Sequence, residues 1–148
     1  MAGWSAKRRA TLHLRASTLL DADAALHLVK ETVPHVVGAG MSLLTSGIGS
    51  ANARVNVTGE QPGRVDLSIS AVAGTFCTFE AAAATEAGRT LLTVGPLSTY
   101  ATSQEKLYGI PATPKTIAGM DLYRRFLDAV HDAVAAADGT ASIRVTQA

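Results

Sequence analysis

Alternation of apolar and polar side chains in the middle of the chain is the feature that most constrains the fold. In residues 64–71, Val65, Leu67 and Ile69 alternate with charged residues and serines. A period of two residues predicts a strand with one buried face. Similar stretches flank it, and short turns containing glycine separate them. Parallel pairing would need a long crossover between each pair of strands, so the sequence predicts an antiparallel meander of about five strands.

A long amphipathic helix is predicted for residues 114–137. Apolar side chains recur there at steps of three and four residues, with Leu127 in the middle of the apolar stripe and Asp132 on the polar side. Thr113 suits the N-cap and the proline after it suits the first helical position. Gly139 suits a left-handed C-cap. At 1.5 Å per residue this helix would be about 36 Å long, enough to cross a whole sheet.

The part of the chain before the meander predicts one strand and two helical pieces. Residues 12–16 alternate in the same way as the central strands. Thr18 is a candidate N-cap for the helix that follows, and Pro34 ends that helix. A second piece at 36–44 is weakened by two glycines. We therefore expect a broken helix pair between the first strand and the meander.

The elements together predict a single α+β domain over residues 1–148 with six to seven antiparallel strands. Gly95–Pro96 is read as a break, after which residues 97–108 form a long polar strand. The segments 1–9 and 139–148 are expected to be flexible or to add edge structure. The long helix should lie across the concave face of the sheet.

Composition excludes several classes of protein. The chain has 148 residues, of which 47% are hydrophobic, and this fraction is too high for an intrinsically disordered chain. Its formal net charge of +1 gives no electrostatic case for binding a nucleic acid or an acidic membrane. No run approaches the roughly 20 apolar residues that a spanning helix needs. We therefore expect a soluble cytoplasmic protein.

The sequence contains few motifs that indicate a catalytic, cofactor-binding or metal-binding site. No spacing of His, Cys, Asp or Glu supports a local metal site, and Gly38–Gly40 lacks the context of a dinucleotide-binding loop, so no cofactor is expected. Cys77 is interpreted as a small buried hydrophobe. The candidate acid–base side chains are Glu80, Tyr100, Glu105 and Tyr123. They have no diagnostic spacing, so catalytic residues stay unknown.

The order of elements over residues 10–137 resembles that of the START-like (SRPBCC) helix-grip superfamily. The resemblance rests on that order, on Ala16–Ser17 leading into a helix that ends at Val33–Pro34, and on Asp121–Phe126 opening the last helix. It implies a curved antiparallel sheet wrapped around the C-terminal helix. It also implies a cavity between sheet and helix that holds an apolar or amphipathic small molecule.

The expected function is binding of a small hydrophobic or amphipathic ligand in that cavity. Two alternatives stay open: a cyclase, dehydratase or hydrolase that uses the same cavity, and a partner-binding scaffold with a filled core. A homodimer is also left open, whereas neither nucleic acid nor membrane is expected as a partner. The proposed ligand-binding side chains are Leu67, Ile69, Phe79, Tyr100, Met120 and Tyr123.

Overall fold

The structure, a computed structural model, describes residues 2–36, 53–71, 74–103, 106–107, 110–111 and 116–147. Its helices are α1 (Ala2–Arg9), α2 (Ala22–Thr32) and α3 (Met120–Ala137), and a 3₁₀ turn at Val33–His35 follows α2. The longer strands are β1 (His13–Thr18), β2 (Arg54–Gln61), β3 (Arg64–Ala71), β4 (Gly74–Glu86), β5 (Arg89–Tyr100) and β10 (Ser142–Thr146). Two-residue strands are β6 (Thr102–Ser103), β7 (Lys106–Leu107), β8 (Ile110–Pro111) and β9 (Thr116–Ile117).

The longer strands form one six-stranded antiparallel sheet in the order β10-β1-β5-β4-β3-β2. The predicted α+β class and the meander from β2 to β5 are confirmed. The first strand, β1, lies between β5 and the last strand, β10. Residues 142–146 therefore form an edge strand, as one of the two options for the tail predicted, and residues 2–9 form a helix. The short strands pair separately, β6 with β9 and β7 with β8.

One face of the sheet carries the core. Along β3 and β4 the side chains of Val65, Leu67, Phe79 and Ala81 are buried, and they alternate with residues on the other face. Helices α2 and α3 contact each other, and both contact strands of the sheet. The buried apolar side chains of sheet and helices form one continuous cluster. Helices α2 and α3 therefore form one layer and the sheet forms the other. The face of the sheet that points away from these two helices is polar.

The last helix begins six residues later than predicted. Gly119 has a φ of 80°, the left-handed conformation that glycine adopts at low cost, and α3 starts directly after it. Thr116 and Ile117, both β-branched, form β9 instead and pair with β6. The predicted cap, Thr113–Pro114, lies outside the described residues. The helix of 18 residues is about 27 Å long.

The predicted helix caps are also corrected. Asp21, not Thr18, caps α2, because its carboxylate accepts a hydrogen bond from the Ala24 N–H at 2.7 Å. Thr18 instead donates to Asp138 at 2.7 Å. At the end of α3 the cap is Asp138 in an extended conformation, not a left-handed Gly139. Val36, where the second helical piece was expected to begin, is extended after the 3₁₀ turn, and 37–44 of that piece lie outside the described residues.

Strand β5 runs through Gly95–Pro96 without a break, which corrects the predicted boundary there. Its register against β4 shifts at this point, between the pairs Phe79–Leu97 and Ala81–Val94. Between these two pairs β5 has one residue more than β4. This bulge allows β5 to stay in the sheet. Of the described residues of the predicted polar strand, Leu97–Tyr100 belong to the six-stranded sheet, and β6 and β7 pair elsewhere.

Candidate functional site

Five of the six predicted ligand-binding residues lie together in the core. Leu67, Ile69, Phe79, Met120 and Tyr123 are each exposed by 9% or less. Tyr100 pairs in register with Cys77, beside this cluster at the end of β5, and is 37% exposed. Strand and helix periodicity therefore identified five buried residues, and Tyr100 lies at the edge of the same cluster.

Aromatic rings occupy the centre of this cluster. The ring centroids of Phe79 and Tyr123 are 4.9 Å apart in an edge-to-face arrangement, and those of Phe79 and Phe126 are 5.7 Å apart. Phe126 was not among the proposed ligand contacts, although helical spacing places it on the apolar face of α3. Such ring pairs stabilise a packed core beyond their buried area. Between Phe79 and α3 the space is filled by side chains of the protein itself.

The hydroxyl group of Tyr123 is fully engaged. It donates a hydrogen bond of 2.5 Å to the backbone carbonyl of Leu12. Burial, with a smaller contribution from the Cys77 thiol, raises the pKa of Tyr123 above its ordinary value. The phenol therefore stays protonated and serves to tie α3 to the segment before β1. Burial likewise raises the pKa of Cys77 to about 11, so its thiol is not a ready nucleophile.

The other acid–base candidates do not share a site with Tyr123. Glu80 projects on the opposite face of the sheet, where its Oε2 lies 3.5 Å from the Arg64 Nε. Tyr100 is exposed at the end of its strand, and Glu105 lies outside the described residues. General acid–base catalysis needs groups within hydrogen-bond reach of one substrate. Within the described residues these candidates do not meet that condition.

Within the part of the chain that the structure describes, no group of three or more His, Cys, Asp or Glu side chains is placed to hold a metal ion.

An open cleft of about 540 Å³ lies between α2 and the β2–β3 hairpin. The helix contributes Asp21, Asp23, Ala24, Leu26, His27 and Lys30, and the hairpin contributes residues 60–65. Leu26 and Val65 in its lining are apolar and almost completely buried, and the rest of the lining is mainly charged or polar. We refer to this feature as the α2–hairpin cleft. Its volume falls within the range of about 300–1,000 Å³ that is usual for small-molecule sites.

Charged side chains surround the opening of the α2–hairpin cleft. Lys30 Nζ and Glu60 Oε1 are 2.7 Å apart and join the helix to the hairpin. Asp23 and His27 are exposed on the helix side, and His27 Nε2 lies 2.8 Å from Glu31 Oε1. The cleft therefore offers a small apolar contact and a polar rim. Sequence reasoning missed it because its two walls come from segments about 30 residues apart that carry no shared motif.

Comparison of the chain with models of protein families, with curated proteins and with solved structures found no match. Among the described helices, none combines the length and the apolar character needed to cross a membrane.

Proposed function

We propose that the chain is a helix-grip domain of the START-like superfamily that binds a small hydrophobic or amphipathic molecule. The strand order supports the assignment, since β1 closes against β5 after an antiparallel meander and α3 follows the meander. A binding role is favoured over a catalytic one because the described acid–base candidates lie on different faces of the sheet. Fold alone does not define function, so the site has to carry the proposal.

The observation that carries the proposal is the α2–hairpin cleft. The Lys30–Glu60 pair suits the polar part of an amphipathic molecule, and Leu26 and Val65 in the lining supply a small apolar contact for the rest of it. Because the cleft is open to solvent, a ligand can enter without any displacement of the core. Binding there would draw α2 and the hairpin together around the ligand.

The space between the sheet and α3 is a second location for the ligand. Small side chains on the strands below the helix favour it, because Ala16, Ala81 and Ala83 leave room for neighbouring side chains to change rotamer. A ligand there would have to separate Phe79 from Tyr123, which are now in contact. Creating such a space costs roughly 24 cal/mol per Å³ until the ligand fills it.

Thermal unfolding with a panel of fatty acids, amphipathic amines and polycyclic aromatics tests the proposal. A ligand at a hundredfold excess over its Kd stabilises the protein by about 2.7 kcal/mol, which raises Tm by several degrees. Ala24→Trp should fill the α2–hairpin cleft and abolish the shift. Ala135→Trp, on the exposed side of α3, is the matched control and should keep it.

Two results would change the conclusion. A shift that persists in Ala24→Trp would move the site to the space under α3. No shift with any member of the panel would reject small-ligand binding and favour a scaffold with a filled core.

A further inference from the structure

Two arginines lie directly opposite each other on neighbouring strands, on the face of the sheet that points away from the core cluster. Arg15 of β1 pairs in register with Arg144 of β10, and both side chains are exposed. The residues beside them in sequence, Ala16 and Ile143, point to the core side and pack against the core cluster. Opposed residues in an antiparallel pair have Cβ atoms about 4.5–5.5 Å apart, so the two guanidinium groups share one small region of surface.

Among the described residues, no carboxylate lies in register with this pair on the neighbouring strands. The nearest positions on the same face are His13 and Ser17 on β1, Ser142 and Thr146 on β10, and Thr93 on β5. Residues 1–20 and 139–148 hold five Lys and Arg and no Asp or Glu, whereas residues 21–138 hold eight against twelve. Three of these five charges lie on α1, so the basic region of the first and last strands consists of Arg15 and Arg144.

A third arginine is fixed at the border of this region. Arg89 Nε donates to Ser17 Oγ at 2.8 Å, and Arg89 Nη2 donates to the Ser17 carbonyl at 3.1 Å. Ser17 lies two residues from Arg15 on the same face of β1. The positive charge of Arg89 thus adds to the potential at the pair, and no counter-charge lies directly across from Arg15 on either neighbouring strand.

We infer that Arg15 and Arg144 form a binding site for a phosphate group. Like charges directly opposite each other destabilise a sheet, and a bound anion would reverse that penalty. The planar guanidinium fork matches phosphate oxygens in a bidentate manner, and two forks on adjacent strands can hold one phosphate from both sides. Hydroxyl groups of Ser17, Ser142 and Thr93 lie near enough in register to add donors.

A structural role for the pair makes a different prediction. Charged side chains on an edge strand prevent pairing with another sheet. If this were the whole role of Arg144, its removal would cause self-association and would leave the response to phosphate unchanged.

The test is to titrate the protein at low salt with pyrophosphate, and separately with phosphatidylcholine vesicles that contain phosphatidic acid. Arg144→Gln and Arg15→Gln should weaken binding at least tenfold, while raising Tm in the absence of anion. Arg144→Lys should keep the charge and still lose affinity, because an ammonium group lacks the fork. Arg54→Gln removes an exposed arginine at the opposite edge of the same sheet. It should change neither the binding of the anion nor the Tm of the free protein.

The two probes identify the source of the phosphate. Binding of pyrophosphate alone indicates a soluble phosphorylated ligand, and binding of the vesicles alone indicates a lipid headgroup. The inference fails if neither probe binds, or if Arg144→Gln weakens binding no more than Arg54→Gln does.

Discussion

At the scale of single residues, Gly95 decides how closely α3 approaches the sheet. Its φ is 84°, and a Cβ at this position would overlap the hydroxyl oxygen of Tyr123 and lie 3.2 Å from the Leu12 carbonyl. The hydrogen bond between Tyr123 and Leu12 therefore exists only because residue 95 has no side chain. Nothing in the local sequence showed this requirement, since Gly95 was read as part of a turn.

We predict that Gly95→Ala lowers the free energy of unfolding by about 2 kcal/mol or more. The left-handed backbone costs an alanine roughly 1–2 kcal/mol, and loss of a buried hydrogen bond adds about 1–3 kcal/mol. Denaturant melts give the value. In a Tyr123→Phe background the same substitution should cost less, because the overlapping hydroxyl is gone. Equal costs in the two backgrounds would show that the overlap plays no part.

Asp138 is the second residue with a role far from its position in sequence. Its carboxylate accepts hydrogen bonds from the Thr140 hydroxyl at 2.6 Å, the Leu19 N–H at 2.8 Å, the Thr18 hydroxyl at 2.7 Å and the Thr140 N–H at 2.9 Å. These bonds lower the pKa of Asp138 below its ordinary value of 3.8. They join the end of α3 to the end of β1.

This arrangement predicts a specific dependence on pH. Because the pKa is lowered in the folded state, the charged carboxylate contributes stability above pH 3.8, and that contribution is lost as the pH falls toward the folded-state pKa. Asp138→Asn should lower Tm at neutral pH, and the difference from the wild type should shrink steadily below pH 3.8. Exposed Asp128→Asn is the control and should show no such convergence. A difference that is constant down to strongly acidic pH would contradict the role of the charge.

At the scale of elements, the face of α3 is the feature that periodicity predicted best. Leu127 is fully buried, whereas the side chain of Asp132 is 85% exposed. Apolar side chains at steps of three and four residues lie on one side of a helix, and this side is the one that is buried against the sheet. This is why the face could be assigned although the start of the helix could not.

Leu127→Ala should cost on the order of 2–5 kcal/mol, because it leaves a cavity in a packed core. Asp132→Ala should change the free energy of unfolding by less than about 0.5 kcal/mol. Urea melts of both variants provide the comparison. Similar losses in the two would mean that α3 does not bury this face.

Errors in the predicted elements arise where tertiary contacts outweigh local signals. Gly95–Pro96 has the composition of a turn, yet β5 continues through it, because β4 pairs with Val94 before it and with Leu97 after it. The start of α3 depends on the conformation of Gly119, where an added Cβ would lie 2.9 Å from Ile69 Cγ2. Neither constraint is encoded within a window of neighbouring residues.

The candidate site, like the fold, contains residues that periodicity predicted and features that it missed. Periodicity found the buried residues Leu67, Phe79 and Tyr123, because burial follows from the face of an element. It missed the α2–hairpin cleft and the Arg15–Arg144 pair, because each arises from register or packing between segments distant in sequence.

At the scale of the whole molecule, the core is one unit, and Cys77 can report on its opening. The thiol is 1% exposed and its pKa is raised to about 11 by burial. A thiol reagent at mildly alkaline pH should therefore react only with molecules that have unfolded. The labelling rate then follows the equilibrium population of the open state.

We predict that Leu127→Ala increases the rate of Cys77 labelling at least about thirtyfold, the factor that corresponds to about 2 kcal/mol. Asp132→Ala should leave the rate within about a factor of two. The measurement is a time course of reaction with an aromatic disulfide reagent in native buffer. Immediate stoichiometric reaction of the wild type would show that the core opens locally around β4.

The position of β1 between β5 and β10 sets the order in which the sheet can be completed during synthesis. Its two neighbours, β5 and β10, lie more than 70 and more than 120 residues later in the chain. While a ribosome is still making β4, β1 has neither of its partners in the sheet, and its backbone groups have nothing to pair with there. Such distant pairings slow folding and expose unpaired strands. The sheet can therefore close only when nearly all of these residues have left the ribosome.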